Sequence, residues 1–256
     1  MASAPPDIAT TIPAGPRLRV RSLGAFGVAI EGFDDPAPHP DWLHELLAVP
    51  AWREALFALV DREGLVVCRD VHTPDPEQQG YRGVRGRSSR GRLSQGEYYH
   101  HDGCSTPTRP RIVEIRFPHQ ATPRHTRTAI APFPDTVIAM LDAMPSRLST
   151  RDDLVQWRAR ITARELDSAT AWDQAQGVFT RLVRRELSTP DCRAYFDAVD
   201  VAVGAYRAAW EPGESRLIAN ENPIRTMQHR RAYLETPDGR PNGHLVKRWP
   251  NEELAP

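Results

Sequence analysis

The stretch EYYHHDGC, residues 97–104, holds the densest chemistry in the chain, and its reading decides the fold. His100 and Asp102 stand one residue apart. On an extended segment, positions i and i+2 point to the same side, so an imidazole and a carboxylate there converge on one ion. His101 points the other way and is the weaker candidate. Two histidines and one carboxylate on a single face of a metal suit iron(II) and leave positions open for substrate and oxygen. The remaining ligand is then a remote histidine on a late strand. His229 has that setting, inside PIRTMQHRRAYLE (223–235). The other histidines outside the motif (His39, His44, His72, His119 and His125) precede the core, end a strand or lie in a Pro-rich polar segment. Exposed or hydrogen-bonded imidazoles are expected there. A lone His-x-Asp arises often by chance, so the surrounding pattern must carry the reading.

Upstream of the motif, residues 80–96 hold five glycines and five arginines with almost nothing to bury. A surface loop is expected, with a lid or an RGG-like nucleic-acid contact as alternatives. Before it, LVVCRDV (65–71) has strand length and apolar character. Two helices are expected over 41–64, from Trp42, Leu46 and Leu47, then Trp52, Leu56, Phe57 and Val60. Pro50 divides them, and Gly64 is placed to stop the second. LRVRSL (18–23) reads as a first strand, and residues 1–16 as a loose leader.

Downstream, RIVEIRF (111–117) puts Val113, Ile115 and Phe117 on one face and Glu114 and Arg116 on the other, the pattern of a half-buried strand. TVIAMLDAM (136–144) reads as a short helix. Residues 151–210 look helical almost throughout, with Tyr195, Val199, Val203, Tyr206 and Trp210 forming a packing stripe. That block is a lid, a substrate-selecting insertion or a subunit contact, and a homodimer is one of the options it leaves open. After Pro212 come short strand-like segments, SRLIAN, PIRTMQHRRAYLE and HLVKRW, with a turn at TPDGRPNG. Strands, a helical block and strands again suit an antiparallel β-core with a helical insertion, an α+β chain rather than alternating βα units.

Composition narrows the function classes. The 256 residues suit one sizeable domain, and 40% hydrophobic with 26% charged residues suffices for a core. Lys plus Arg (33) balances Asp plus Glu (33), which argues against a nucleic-acid or anionic-membrane coat. Three dispersed cysteines without a CxxC pair fit a reducing cytoplasm. The N-terminus lacks the pattern of a signal peptide, and no apolar run reaches membrane-spanning length. The expectation is a soluble cytoplasmic protein with a small-molecule partner, no nucleic acid and no membrane.

Four stretches, in order, resemble the iron(II), 2-oxoglutarate-dependent oxygenases, in particular the taurine dioxygenase and clavaminate synthase-like branch. REGLVVCRDVHTPDPEQ (62–78) is similar to an early strand and helix start, and YYHHDGCS (98–105) to the first metal motif. RTAIAPFPDTVIAML (127–141) is similar to a threonine-bearing segment before a short helix. NENPIRTMQHRRAYLETPDGRPNGHLVKRW (220–249) is similar to the distal histidine, turn and arginine-bearing strand. The resemblance implies a distorted double-stranded β-helix (jelly-roll) core over 17–256, with flanking helices and an insertion at about 151–210. It implies His100, Asp102 and His229 as iron ligands and as the catalytic centre, with Fe(II), 2-oxoglutarate and O2 as cofactors. Retention of the carboxylate Asp102 favours hydroxylation, desaturation or ring formation over halogenation.

By the same resemblance, Thr128 contacts the cosubstrate, and an arginine 11 to 15 residues past the distal histidine anchors it. Here the chain departs from the pattern. Position 244 is a histidine, Arg240 lies 11 residues on, and Arg248 lies 19 on. Arg240 falls in the turn. Arg248 shares a strand face with His244 and Val246 and is the favoured partner for a carboxylate. Tyr99, Arg230 and Arg231 are candidate substrate contacts, although two consecutive strand residues face opposite sides. Asn220 and Asn222 either orient substrate or shape a turn. The substrate implied is an amino acid or a secondary-metabolism intermediate. Two other classes remain: a metal-independent binding or structural protein, and a zinc or manganese hydrolase, against which the lack of HExxH weighs.

Overall fold

The computed structural model describes residues 19–31, 42–71, 79–83, 98–103, 109–117, 126–144, 156, 159–160, 187, 189–222, 225–233 and 244–250. The chain begins with strands β1 (Arg19–Ser22) and β2 (Val28–Glu31), then helices α1 (Trp42–Ala48) and α2 (Pro50–Glu63) and strand β3 (Leu65–Cys68). Pro50 opens α2, where a missing N–H costs nothing. Gly64 closes it with φ 81°. A Cβ there would lie 2.7 Å from Met227 Sδ, so both backbone angle and space demand glycine. The expected strand over 65–71 ends at Cys68.

Six further strands complete two sheets: β4 (Arg82–Gly83), β5 (Pro110–Phe117), β6 (Thr126–Pro132), β7 (Glu214–Ala219), β8 (Met227–Tyr233) and β9 (Leu245–Pro250). The larger sheet has the order β1-β2-β3-β7-β5-β9-β4, and β6 pairs with β8 in the smaller. Single bridges widen the smaller sheet on both sides, His100 pairing with His229 on β8, and Tyr206 and Ala209 with Ile130 and Arg127 on β6. From β4 onward, successive extended segments fall in the sheets as large, small, large, small, small, large, small, large. That winding is a jelly roll, with β1–β3 extending one layer.

Helix α2 covers the outer face of the large sheet, burying Leu56, Phe57, Leu59 and Val60 in one core with Val66, Leu217 and Ile218. Helices α3 (Asp135–Asp142) and α4 (Thr189–Ala202) back the small sheet, where Val137, Met140, Phe196 and Val199 pack with Tyr98, Tyr99, Ala129 and Ala131. The space between the sheets is left for the site.

Two expectations are corrected. Strand β5 is central and buried on both faces. Arg116 Nε donates to Glu114 at 2.6 Å, and Ser215 Oγ and Trp249 Nε1 donate to the same carboxylate at 2.9 and 3.2 Å. The polar half of the strand is thus an internal hydrogen-bonded network and not a solvent face. The helical stripe from Tyr195 also stops early. Gly204 takes φ 58° just after α4, and Tyr206 then exchanges backbone bonds of 2.8 and 3.0 Å with Ile130. Sheet pairing claims Tyr206 and Ala209 in place of the helix, and Trp210 follows them. The leader, most of 151–188, most of the 80–96 stretch and the 236–243 turn lie outside the described residues.

Candidate metal centre

Strand pairing assembles the ligand set. His100 and His229 form a hydrogen-bonded antiparallel pair, His100 N–H to His229 O at 3.1 Å and His229 N–H to His100 O at 3.2 Å. Residues so paired carry their side chains on the same face. Their imidazole centroids lie 4.4 Å apart. Asp102, two residues beyond His100, joins them, its Oδ1 3.6 Å from His100 Nε2 and 3.7 Å from His229 Nε2. One donor atom from each of the three falls within 4.8 Å of the others.

The donors are prepared for an ion. His100 Nδ1 lies 2.7 Å from the Tyr98 carbonyl oxygen, which has no proton to give, so Nδ1 carries it and Nε2 presents its lone pair. Burial pushes the Asp102 carboxyl up, but His229, His100 and Arg248 outweigh burial and hold it below its usual range. Two imidazoles and one carboxylate form a donor set that fits a divalent transition metal with open positions.

His101 faces the other way, as alternation requires. Burial first, then the neighbouring His229 and His100, pushes its imidazole down to about 3, and its ring packs 5.5 Å from Phe133. It is a neutral core histidine.

A cavity of about 570 Å³ opens beside the triad. Gly80, Arg82, Ile115, Thr128, His244, Val246 and Arg248 line it together with the three ligands. Thr128 is buried, and its hydroxyl accepts the Trp210 Nε1–H at 3.1 Å. Arg248 reaches the cavity, but its Nε donates to Asp102 Oδ2 at 2.9 Å and its side chain is 55% exposed.

Tyr99 and Arg230 are not in the cavity, contrary to the sequence expectation. Both sit one residue off a ligand and point through the small sheet toward α4. The Tyr99 hydroxyl donates to Asp200 Oδ1 at 2.6 Å, and Arg230 donates to both Asp200 oxygens at 2.9 and 2.6 Å. They serve packing. Arg231 pairs in register with Thr128, its side chain being outside the described residues, as is the whole of Arg240. Asn220 shapes the site: it hydrogen-bonds the Asp102 backbone from the end of β7. Asp200, which sequence reasoning missed, carries no local signal beyond its place on a helix.

No family model matches the chain, and no curated protein sequence matches it. Among solved structures it is similar to AAD-2 in complex with Mn(II) and N-oxalylglycine, at 13% identity and TM-score 0.47, over 91% of this chain and 97% of that one. It is also similar to a taurine dioxygenase from Burkholderia xenovorans, at 13% identity and TM-score 0.44, over 93% and 90%. A third is PvcB, an Fe, alpha-ketoglutarate dependent oxygenase from an isonitrile synthetic pathway, at 16% identity and TM-score 0.47, over 90% of each chain. With every one of these scores below 0.5, the reading of the site rests on its own side chains.

Proposed function

We propose that the chain is a non-haem iron(II), 2-oxoglutarate-dependent oxygenase that oxidises, most simply by hydroxylation, a small molecule such as an amino acid or a secondary-metabolism intermediate. One observation carries the reading: His100, Asp102 and His229 turn their donor atoms toward one another and toward a shared cavity. Three protein donors leave open the positions that a chelating 2-oxo acid and oxygen require. When bound, iron(II) with 2-oxoglutarate and O2 supplies the oxidising power for an unactivated C–H bond. The residues do the rest. Tyr98 O orients the His100 ring, Asn220 fixes the Asp102 backbone, and Thr128 offers a hydroxyl inside the cavity. Ile115 and Val246 give the walls an apolar stretch. The volume suits a cosubstrate together with a compact substrate.

The test is optical. Purified without oxygen and given iron(II), the protein should bind about one iron per chain. Adding 2-oxoglutarate should raise a weak visible metal-to-ligand band, and admitting oxygen should release succinate once substrate is present. Bound iron with no band on adding 2-oxoglutarate contradicts the reading, and so does turnover that needs no oxygen.

A further inference from the structure

We propose that His244, and not Arg248, holds the far carboxylate of the 2-oxo acid, in a subsite it forms with Thr128 at the end of the cavity away from Asp102. The inference rests on the oxygenase reading above and names how this chain replaces an arginine anchor.

Residues 244, 246 and 248 alternate onto the cavity wall. At a strand rise of about 3.3 Å per residue, His244 and Arg248 stand roughly 13 Å apart along it. They therefore mark opposite ends. Arg248 is at the metal end, bound to Asp102 Oδ2 and half open to solvent. His244 is only 3% exposed, its ring 4.8 Å from Trp210 and 5.2 Å from Phe117.

The small sheet gives the same ordering. Ile130 pairs with His229 and Thr128 pairs with Arg231, so Thr128 lies two residues beyond the metal level. Two residues of strand are about 7 Å. A five-carbon diacid spans about 5 Å between its end carbons, so an acid chelated at the triad brings its far carboxylate toward Thr128 and His244. Thr128 accepts from Trp210 and, as a hydroxyl, has one proton of its own to donate. An imidazole N–H beside it completes a carboxylate site, and a charge-assisted bond there is among the stronger hydrogen bonds a side chain makes.

Among the described side chains the rival cations are otherwise placed, those of Arg231 and Arg240 lying outside that set. His100 and His229 belong to the triad, and Arg82, which also lines the cavity, is exposed and sits at mid-wall, its backbone in register with Val246. Arg216 is not among the cavity-lining residues, its guanidinium lying 3.8 Å from the Trp210 ring centre and its Nη1 3.5 Å from the Thr128 backbone oxygen. It is paired with Glu214 and donates to Ala208 O and Ala209 O at 3.1 Å each. It thereby fixes the segment that presents Trp210.

The experiment compares two acids, 2-oxoglutarate and 2-oxopentanoate, the second having a methyl in place of the far carboxylate. Each is titrated by the visible band into the iron(II)-loaded protein without oxygen. Wild type should bind 2-oxoglutarate at least about tenfold more tightly. His244→Ala should lose that preference, weakening 2-oxoglutarate about tenfold or more while leaving 2-oxopentanoate within about threefold and iron stoichiometry unchanged. His244→Leu, closer in volume and without a donor, should lose it equally and carries the test should the alanine variant fail to fold. Arg248→Ala should keep the preference. The inference is overturned if folded His244 variants keep the preference, if Arg248→Ala abolishes it, or if wild type has none. A wild type that binds iron but shows no band with 2-oxoglutarate overturns the oxygenase reading as well, so the two failures are distinguishable.

Discussion

Asn220 grips Asp102 through both backbone groups. Its side-chain oxygen accepts the Asp102 N–H at 2.8 Å, and its amide donates to Asp102 O at 3.1 Å and to Pro110 O at 2.9 Å. The carboxylate is thereby held over the histidine pair by a residue 118 positions away in sequence. Partners that orient ligands are worth about 10–100-fold in metal affinity when removed. Asn220→Ala should weaken iron(II) binding by about that factor while the chain stays folded, as measured by competition with a chelator of known affinity; unchanged affinity would deny Asn220 its role. The His-x-Asp pair was legible in the sequence because i, i+2 geometry is local. The clamp was not, because an asparagine near a turn carries no sign of which distant backbone it meets. Arg248 shows the same limit from the other side: its strand face was read correctly, but its partner, Asp102, is fixed only in three dimensions.

Alternation along the 98–102 segment and β8 gives each a metal-facing row and a helix-facing row. Tyr99 and Arg230 fall on the second row and meet at Asp200 of α4, with Asp197 taking a further Arg230 bond at 2.9 Å. This cluster straps α4 to the reverse of the two metal-bearing segments. Breaking a buried ion pair by removing one partner costs about 3–5 kcal/mol. Asp200→Ala should lower unfolding free energy by about that much in denaturant titrations, and a loss under about 1 kcal/mol would show the strap to be incidental. The helices over 41–64 were legible because apolar spacing, Pro50 and Gly64 agree. The end of α4 was not, because Tyr206 and Trp210 happen to continue its spacing while the Tyr206 backbone bonds to Ile130 of β6 and the Trp210 indole to Thr128. Local periodicity does not register a competing strand.

At the scale of the whole molecule, the jelly-roll winding brings segments from 98–102, β6, β8 and β9 around one cavity, although they span some 150 residues of chain. No hydropathy pattern specifies that order. The sequence suggested it only through resemblance, with motifs in the right succession. Helices outside both sheets leave the interior free for polar groups, and that is why a buried imidazole, a threonine and a paired arginine are tolerated between the layers. His100, Asp102 and His229, distant in sequence, meet as one candidate metal site. Its most direct measurement is iron(II) stoichiometry under anaerobic equilibrium dialysis, for wild type, His100→Ala and His229→Ala, with thermal melting to verify folding. The expected result is about one iron per wild-type chain and none retained by either folded variant. Full stoichiometry in both variants would contradict it.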